Sequence, residues 1–274
     1  MSSPCPARPP PAATAGTRSS RPSSTTATSP ATSSRSCRAS TSISAGNDAP
    51  LRARGGGRSV PPMIRLDHIV FAARSLAEGR AWMEDRLGVP AQGGGAHPGM
   101  GTHNALWRLG EAYLEVLAID PAAPPPTRAR MFGLDLPAVR ARLATGPALV
   151  AWVAATDDIE AARAAVPAVD FGPALALSRG DLSWRLTVPE DGAAPMGGVL
   201  PALIAWPPGA HPAARMPDAG LRLAAFSART PQADAARAAL AALGGDGILR
   251  VEPGAAPARL ACAIETPATT VRFG

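Results

Sequence analysis

Two polar side chains stand inside otherwise apolar runs of this sequence. His68 lies within "IRLDHIVFAA" (64–73) and Glu115 within "YLEVLAI" (113–119). Burying a polar group without a partner costs about 1–3 kcal/mol, so each of them needs one. We expect His68 and Glu115 to point into the same cavity. There they should lie close enough to share a metal, a water or a hydrogen bond, and a buried His–Glu pair without metal is the main alternative.

More polar and aromatic residues cluster around these two runs. His103 sits in "GTHN" (101–104), where the preceding glycine favours a side chain aimed at a pocket or ligand. The alternative is that His103 hydrogen-bonds backbone in the glycine-rich loop. His97 and His211 each precede a proline, and a solvated turn histidine is the other interpretation for both. The candidate substrate-binding residues are His97, Asn104, Tyr113, Trp206 and His211.

Several function classes lack the motifs that their chemistry needs. The sequence has no GxSxG elbow, no P-loop and no GxGxxG after a strand, which excludes the usual hydrolase, NTPase and dinucleotide sites. Its 3 Cys contain no CxxC pair, so neither a disulfide scaffold nor a structural zinc site is expected. No apolar run reaches the roughly 18 residues of a membrane span. We therefore expect no membrane partner.

The basic charge of the chain is confined to its first part. The formal net charge is +6, yet residues 1–62 contain eight Arg and one acidic residue, which leaves the remainder near neutral. The isolated Arg residues have no interleaved aromatic residue for base stacking, so we expect no nucleic-acid partner.

Residues 1–62 are rich in Ser, Pro and Thr and are predicted to be a disordered tail. Three interpretations of the tail remain open: an organelle transit peptide, a basic binding tail, and an incorrect start upstream of Met63. We favour the start at Met63, because a strand-like run follows it at once.

The body, residues 63–274, begins with a strand, a helix and two further strands. Ser75 is predicted to cap the helix, with Glu78 completing a capping box, and Gly88 to stop it after Leu87. The elements predicted next are a glycine-rich loop at 92–104 and strands near 103–109 and 112–119.

This strand–helix–strand order recurs twice more. The three passages are about 64–120, 148–207 and 220–273, with a Pro-rich connector at 121–127. Their order is βαβββ, which predicts an α+β protein with layered mixed sheets.

Four motifs in this order resemble the glyoxalase-like domain of the vicinal oxygen chelate superfamily. They are "LDHIVFAARSL", "HPGMGTHNALWRLG", "YLEVLAIDP" and "GGVLPALIAWPPGAHPAARMPD". The superfamily includes glyoxalase I, extradiol dioxygenases and proteins of fosfomycin and bleomycin resistance. The resemblance implies repeated βαβββ modules that form curved mixed sheets around a cupped cavity, often with a divalent metal inside.

The resemblance also implies a candidate metal site. His68 and Glu115 match the superfamily's ligand positions in one module, and His103 could supply a third ligand. Such a set suits Zn, Fe, Mn or Ni. Alignment of the second module places Ala151 and Ala205 at its two ligand positions, so half of a four-ligand site is missing.

Two functions follow from these observations. The first is a cytoplasmic glyoxalase-like protein that binds a small organic molecule in the cup, as a metal-dependent lyase, isomerase or dioxygenase. Glu115 cannot easily be both a tight ligand and a free base, so the catalytic base is unassigned. The alternative is a metal-free binding or sequestering protein of the resistance type, which the two alanines favour. A homodimer is left open.

Overall fold

The computed structural model describes residues 63–274, and the predicted disordered tail lies outside the described residues. The first module contains five elements in the order βαβββ. They are β1 (Arg65–Ala72), α1 (Leu76–Leu87), β2 (Gly93–His97), β3 (Thr102–Leu109) and β4 (Ala112–Ile119).

Helix α1 begins and ends where its capping residues predict. The hydroxyl of Ser75 accepts a hydrogen bond from the backbone N–H of Glu78, and Gly88 ends the helix in the left-handed conformation at φ 66°. The guanidinium of Arg74 donates hydrogen bonds to the Glu78 carboxylate and lowers its pKa, and the backbone N–H of Ser75, the reciprocal donor of the capping box, lowers this pKa further.

The second module repeats the order and joins the first in one sheet. Its elements are β5 (Ala148–Ala155), α3 (Ile159–Ala165), β6 (Ala174–Arg179), β7 (Leu182–Thr187) and β8 (Ala202–Ala205). The strand order of this large sheet is β2-β3-β4-β1-β5-β8-β7-β6, in which β1 and β5 pair antiparallel at the centre. In each half, the first strand pairs in parallel with the fourth. The prediction of paired βαβββ modules is confirmed for these two passages.

The third passage has the same chain order but a different sheet. Its elements are β9 (Arg222–Thr230), α4 (Ala233–Ala242), β10 (Arg250–Pro253), β11 (Arg259–Glu265) and β12 (Thr270–Phe273). They form a small sheet in the order β10-β9-β11-β12, so the first strand pairs in parallel with the second. Periodicity along the chain predicts strands but not which strands pair, and the third passage is therefore not a copy of the first two.

Three elements differ from the sequence-based expectation. The predicted loop at 92–104 contains strand β2, where Gly93 lies opposite Leu106 and His97 opposite Thr102. Glycine composition suggested a loop, yet a Cβ at Gly94 would lie 2.2 Å from the carbonyl oxygen of Asn104, so the close strand pairing itself requires glycine. Strand β6 and helix α2 (Pro137–Leu143) were not predicted.

The large sheet separates two hydrophobic clusters. On its outer face, Ile69, Phe71 and Trp152 pack with α1, α3, α4 and the small sheet. On its inner face, which we call the cup, Val70, Leu117 and other strand residues pack against the segment that connects the two modules. The edge strands β2 and β6 approach each other, since a Cβ at Gly95 would lie 3.0 Å from Cγ of Arg179. The sheet is therefore nearly closed.

The connecting segment fills most of the cup. Met131, Phe132, Leu134 and Leu143, the last of them in α2, belong to the inner cluster. Phe132 adopts a left-handed conformation at φ 59°, which is uncommon for a residue other than glycine. Within residues 63–274, no helix is both long and apolar enough to cross a membrane.

Candidate functional site

A bulge in strand β1 places two neighbouring residues on the same side of the sheet. Leu66 lies opposite Ala154 and His68 opposite Val153, which leaves Asp67 as the extra residue. The Asp67 Oδ1 atom is 2.6 Å from Nδ1 of His68, and both residues are buried. Without the bulge, the alternation of a strand would send these side chains to opposite faces.

The structure brings His68 and Glu115 together inside the cup. Strands β1 and β4 are parallel neighbours, and Nε2 of His68 lies 3.5 Å from Oε2 of Glu115. Tyr113 stacks on the His68 imidazole with ring centroids 4.5 Å apart and planes 15° from parallel. His68 thus lies between two carboxylates, with its ring orientation held by Asp67 on one side and Tyr113 on its face.

Asn104 on β3 connects four groups of the site. Its Nδ2 donates to Oε1 of Glu115 at 2.5 Å and lies 3.3 Å from Nε2 of His97. Its Oδ1 accepts from the backbone N–H of Gly95 at 3.0 Å and from Nη1 of Arg179 at 3.1 Å. All four hydrogen-bonding positions of the amide are used, so its orientation is set by the network.

His97 on β2 is a second buried imidazole with different surroundings. Its Nδ1 lies 3.0 Å from the hydroxyl of Thr102, and its ring meets Trp184 edge-on at 5.7 Å. Because the Asn104 amide donates to Nε2, we assign the proton of neutral His97 to Nδ1, which donates to Thr102. Burial lowers the pKa of His97 to about 4. The imidazole is therefore neutral at pH 7.

Asp67 and Glu115 raise the pKa of His68, and His68 in turn lowers the pKa of both carboxylates. Burial alone lowers the pKa of His68, but its hydrogen bonds to Asp67 and Glu115 outweigh burial and raise it to about 9. Burial likewise raises the pKa of Glu115, yet His68 and Asn104 hold it at about 2. The pKa of Asp67 falls well below its usual range, since hydrogen bonds from His211 and His68 outweigh burial. Burial, followed by the charges of both carboxylates, raises the pKa of Tyr113 above its usual value.

The buried charges balance within the site. Asp67 and Glu115 carry two negative charges, while protonated His68 and Arg179 carry two positive charges. A buried ion needs such compensation, because its transfer out of water is costly. The formal charges of these four side chains therefore sum to zero.

The space left among these groups is small. A cavity of about 20 Å³ has room for one water molecule. Met131 and Phe132 of the connecting segment close it on the side of the cup. Its lining comprises His68, His97, Asn104, Tyr113, Glu115, Met131, Phe132, Arg179, Trp184, Leu186, Ile204 and Trp206.

The five residues predicted to bind substrate occupy two positions. His97, Asn104, Tyr113 and Trp206 line the cavity. His211 lies behind it, with Nε2 3.3 Å from Oδ2 of Asp67 and its ring 5.6 Å from that of Tyr113.

His103 does not join His68 and Glu115. It follows Thr102 and precedes Asn104 on β3, so strand alternation turns it away from the face that carries Asn104. Its Nδ1 lies 3.9 Å from Oδ1 of Asp120. In residues 63–274, no group of three or more His, Cys, Asp or Glu side chains is arranged to hold a metal ion. The predicted three-ligand set is therefore not assembled in the described part of the chain.

The second module has apolar side chains at the positions that correspond to His68 and Glu115. Ala151 faces the cup, as the sequence alignment predicts. The equivalent of Glu115 is not Ala205, which packs with the outer cluster, but Ala202, which belongs to the inner cluster: Val70 pairs with Glu115, and its counterpart Val153 pairs with Ala202. The alignment was three residues out of register, and a shift by an odd number of residues exchanges the faces of a strand.

Two charged residues of the site were missed from the sequence. Asp67 was overlooked because simple alternation assigns it to the face opposite His68. Arg179 ends β6 at a hairpin with Leu182, and its sequence context "ALALSRGDL" is that of a solvated turn residue. No local signal shows that it reaches Asn104, which is 75 residues earlier in the chain.

Comparisons with known proteins agree with the topology. A family model described as a glyoxalase-like domain matches residues 66–244. A hypothetical protein from Staphylococcus aureus has a similar structure, with a TM-score of 0.54 and 15% identity over 77% of this chain and 99% of its own. At that identity the likeness concerns the fold.

Methylmalonyl-CoA epimerases give lower scores. The enzyme from Mycobacterium tuberculosis has a TM-score of 0.36 and 21% identity over 52% of this chain and 88% of its own. A Streptomyces coelicolor variant in complex with 2-nitronate-propionyl-CoA has a TM-score of 0.33 and 20% identity over 53% and 98% of the two chains. No curated protein matches the sequence.

Proposed function

The chain belongs to the glyoxalase-like domain family, and from that premise we propose that it binds a small polar organic molecule in the cup without a resident metal ion. One observation carries the proposal. Polar side chains from β1, β2, β3, β4 and β6 line one cavity, and Asp67 binds His68 from behind. The lining polar residues are His68, His97, Asn104, Tyr113, Glu115 and Arg179. Buried polar groups cost stability unless they are paired, and sites of this kind concentrate where ligands bind.

The donor set argues against the metal site that is common in this superfamily. Four ligand positions reduce to His68 and Glu115, because Ala151 and Ala202 offer no donor atom. Both nitrogens of His68 face carboxylates, Nδ1 toward Asp67 and Nε2 toward Glu115. The residues present therefore do not fit a four-ligand centre, and no step of the proposed function passes through a metal.

The charges and the aromatic walls suggest which ligand the cup accepts. Arg179 gives one N–H to Asn104 and has further guanidinium N–H groups that suit a carbonyl or carboxylate oxygen. Trp184, Trp206 and Phe132 offer apolar walls for a small carbon skeleton. The proposed ligand class is accordingly a small carbonyl or carboxylate compound, held by hydrogen bonds at one end and by ring contacts along its body.

Entry of such a ligand requires the connecting segment to move. The present cavity of about 20 Å³ is too small for an organic molecule. The turn at Met131–Gly133 closes it, and Phe132 holds a left-handed conformation that is unfavourable by roughly 1–2 kcal/mol. Displacing this turn would enlarge the cup and release that strain, so the turn is the proposed lid of the site.

One observation favours a second candidate, a metal-dependent lyase, isomerase or dioxygenase. Asp67 binds Nδ1 of His68 at 2.6 Å and leaves Nε2 facing Glu115. A carboxylate that orients an imidazole in this way also supports metal-binding histidines in proteins. Two ligands could then hold a metal weakly, and metal analysis separates the two functions.

The experiment uses protein produced without a polyhistidine tag. Metal content is measured by mass spectrometry, and thermal unfolding is followed with a panel of small carbonyl and carboxylate compounds, each with and without Zn, Mn, Ni or Fe salts. We expect less than stoichiometric metal and stabilisation by at least one compound without added metal. One tightly held metal ion per chain would overturn the metal-free proposal.

Variants then locate the binding site. We expect His68→Ala and Glu115→Ala to abolish stabilisation by the compound found, and Cys262→Ser, a buried change in the small sheet, to retain it. His103→Ala separates the predictions further. If this variant loses bound metal, His103 is a metal ligand in an arrangement that differs from the described structure. If binding of the compound is unchanged, the binding site is the cup and does not include His103.

A further inference from the structure

A second concave site lies on the outer side of the large sheet. A pocket of about 330 Å³ opens where the C-terminal ends of α1 and α2 meet the start of β5 and the small sheet. Its lining contains four arginines, which are Arg86, Arg142, Arg259 and Arg272. None of the four forms an ion pair within 4.0 Å with a carboxylate of residues 63–274.

Several arginines elsewhere in the described chain are paired with carboxylates. Arg74, Arg80 and Arg222 each contact a carboxylate, at 2.6, 2.8 and 2.7 Å respectively. In the pocket, burial and the charge of Arg259 together lower the pKa of the half-buried Arg142. Four like charges therefore line one concavity, and no Asp or Glu side chain of the described residues lines it with them. Such an arrangement is unfavourable until an anion enters.

The floor of the pocket is aromatic. Phe71, Trp82 and Phe273 line it, and the Trp82 and Phe273 rings lie 5.4 Å apart. The Arg86 guanidinium stands 5.2 Å from the centre of the Trp82 ring. The pocket thus offers a charged rim to an anion and an apolar surface to the organic part of the same molecule.

We propose that this pocket binds a small organic molecule that carries one or more phosphate groups. The guanidinium fork matches phosphate oxygens, and four of them compensate more than one negative charge. A concavity of about 330 Å³ suits a small molecule better than the backbone of a nucleic acid, which binds along extended basic surfaces.

Adenosine diphosphate and uncharged adenosine are the matched probes for isothermal titration. We expect ADP to bind at least about tenfold more tightly than adenosine, and its affinity to fall as salt is added. The double variant Arg142→Gln/Arg259→Gln should weaken ADP binding by about tenfold or more. Arg163→Gln on α3, which removes one exposed arginine outside the pocket, is the control and should bind ADP as the wild-type protein does.

The outcomes that overturn the proposal are distinct. They are an absence of ADP binding up to about 10 mM, equal binding of adenosine, or an unchanged affinity in the double variant. A short RNA that binds more tightly than ADP and loses affinity in the double variant would assign the surface to a macromolecule instead. Urea unfolding verifies that the double variant is folded, and Arg272→Gln alone replaces it if it is not. His68→Ala should leave ADP binding intact, which separates this site from the cup.

Discussion

The carboxylate of Asp67 and the imidazole of His68 are consecutive in the chain, yet they are hydrogen-bonded to each other at 2.6 Å on the same side of strand β1. The β-bulge between Leu66 and His68 is the cause. It inserts one residue into the register with β5 and so turns Asp67 toward the cup. A local irregularity of one strand thereby supplies the partner on which the charge of His68 depends.

Asp67→Asn should lower both the pKa of His68 and the stability of the protein. The substitution keeps a similar shape but removes the buried negative charge that faces His68. We expect the pKa of His68 to fall from about 9 toward its ordinary value, and the free energy of unfolding at pH 7 to fall by about 3 kcal/mol. Urea unfolding and NMR titration of the imidazole measure the two effects. Asp157→Asn, at an exposed carboxylate near the end of β5, is the control and should change neither.

The two buried histidines of the cup should titrate on opposite sides of neutrality. We expect His68 to remain protonated until the pH approaches about 9, and His97 to remain neutral until it approaches about 4. Nitrogen-15 chemical shifts of the imidazoles report both states. A neutral His68 at pH 7 in metal-free protein would contradict the charge-balanced network.

The same shifts predict a stability maximum near pH 6.5. The raised pKa of His68 contributes stability that is complete below about 6.5 and is lost as the pH rises toward about 9. The lowered pKa of His97 acts in the opposite direction and destabilises the protein as the pH falls from about 6.5 to about 4. Over this range the histidine is protonated in the unfolded chain but not in the folded protein. Urea midpoints at pH 5, 6.5 and 8.5 test the curve, and His97→Gln should flatten only its acidic side. A wild-type midpoint that rises from pH 6.5 to 8.5 would be incompatible with a charged His68.

Replacing Phe132 separates backbone strain from side-chain packing. Phe132→Ala and Phe132→Gly both remove the ring from the cup, but only glycine accepts φ 59° without strain. We expect the glycine variant to be more stable than the alanine variant by about 1 kcal/mol. Phe171, also buried but without a positive φ, is the matched control, and there the alanine variant should be the more stable one. If the alanine variant were more stable than the glycine variant at both positions, the backbone at Phe132 would be unstrained.

Gly79 tests how closely α1 packs on the large sheet. A Cβ at this position would lie 2.5 Å from Cγ1 of Val116 and 2.6 Å from Cβ of Ala73. Gly79→Ala should therefore destabilise the protein by about 1–3 kcal/mol, although alanine favours helices. Gly99→Ala, at a site with open space around it, should be nearly neutral. Thermal unfolding compares the two, and equal stability of both variants would mean that α1 can shift outward freely.

Local chemistry in the sequence was sufficient for much of this fold. The apolar runs around His68 and Glu115, the Ser75 cap and the Gly88 stop predicted the elements of the first module, and the repeated strand–helix order predicted paired βαβββ modules. The conflict between a polar group and its apolar strand also predicted that His68 and Glu115 share a cavity. These signals are readable because caps and alternation act over a few residues.

Only the tertiary structure decided what surrounds that pair. The bulge turned Asp67 inward, the curvature of the sheet brought Arg179 to Asn104, and the connecting segment placed Phe132 in the cup. Strand alternation turned His103 away, and the third passage formed a sheet of a different order. Each outcome depends on which distant strands pair and how the sheet curls. The free energies of strand pairing and of sheet curvature are sums over residues far apart in the chain, so a local sequence pattern does not predict them.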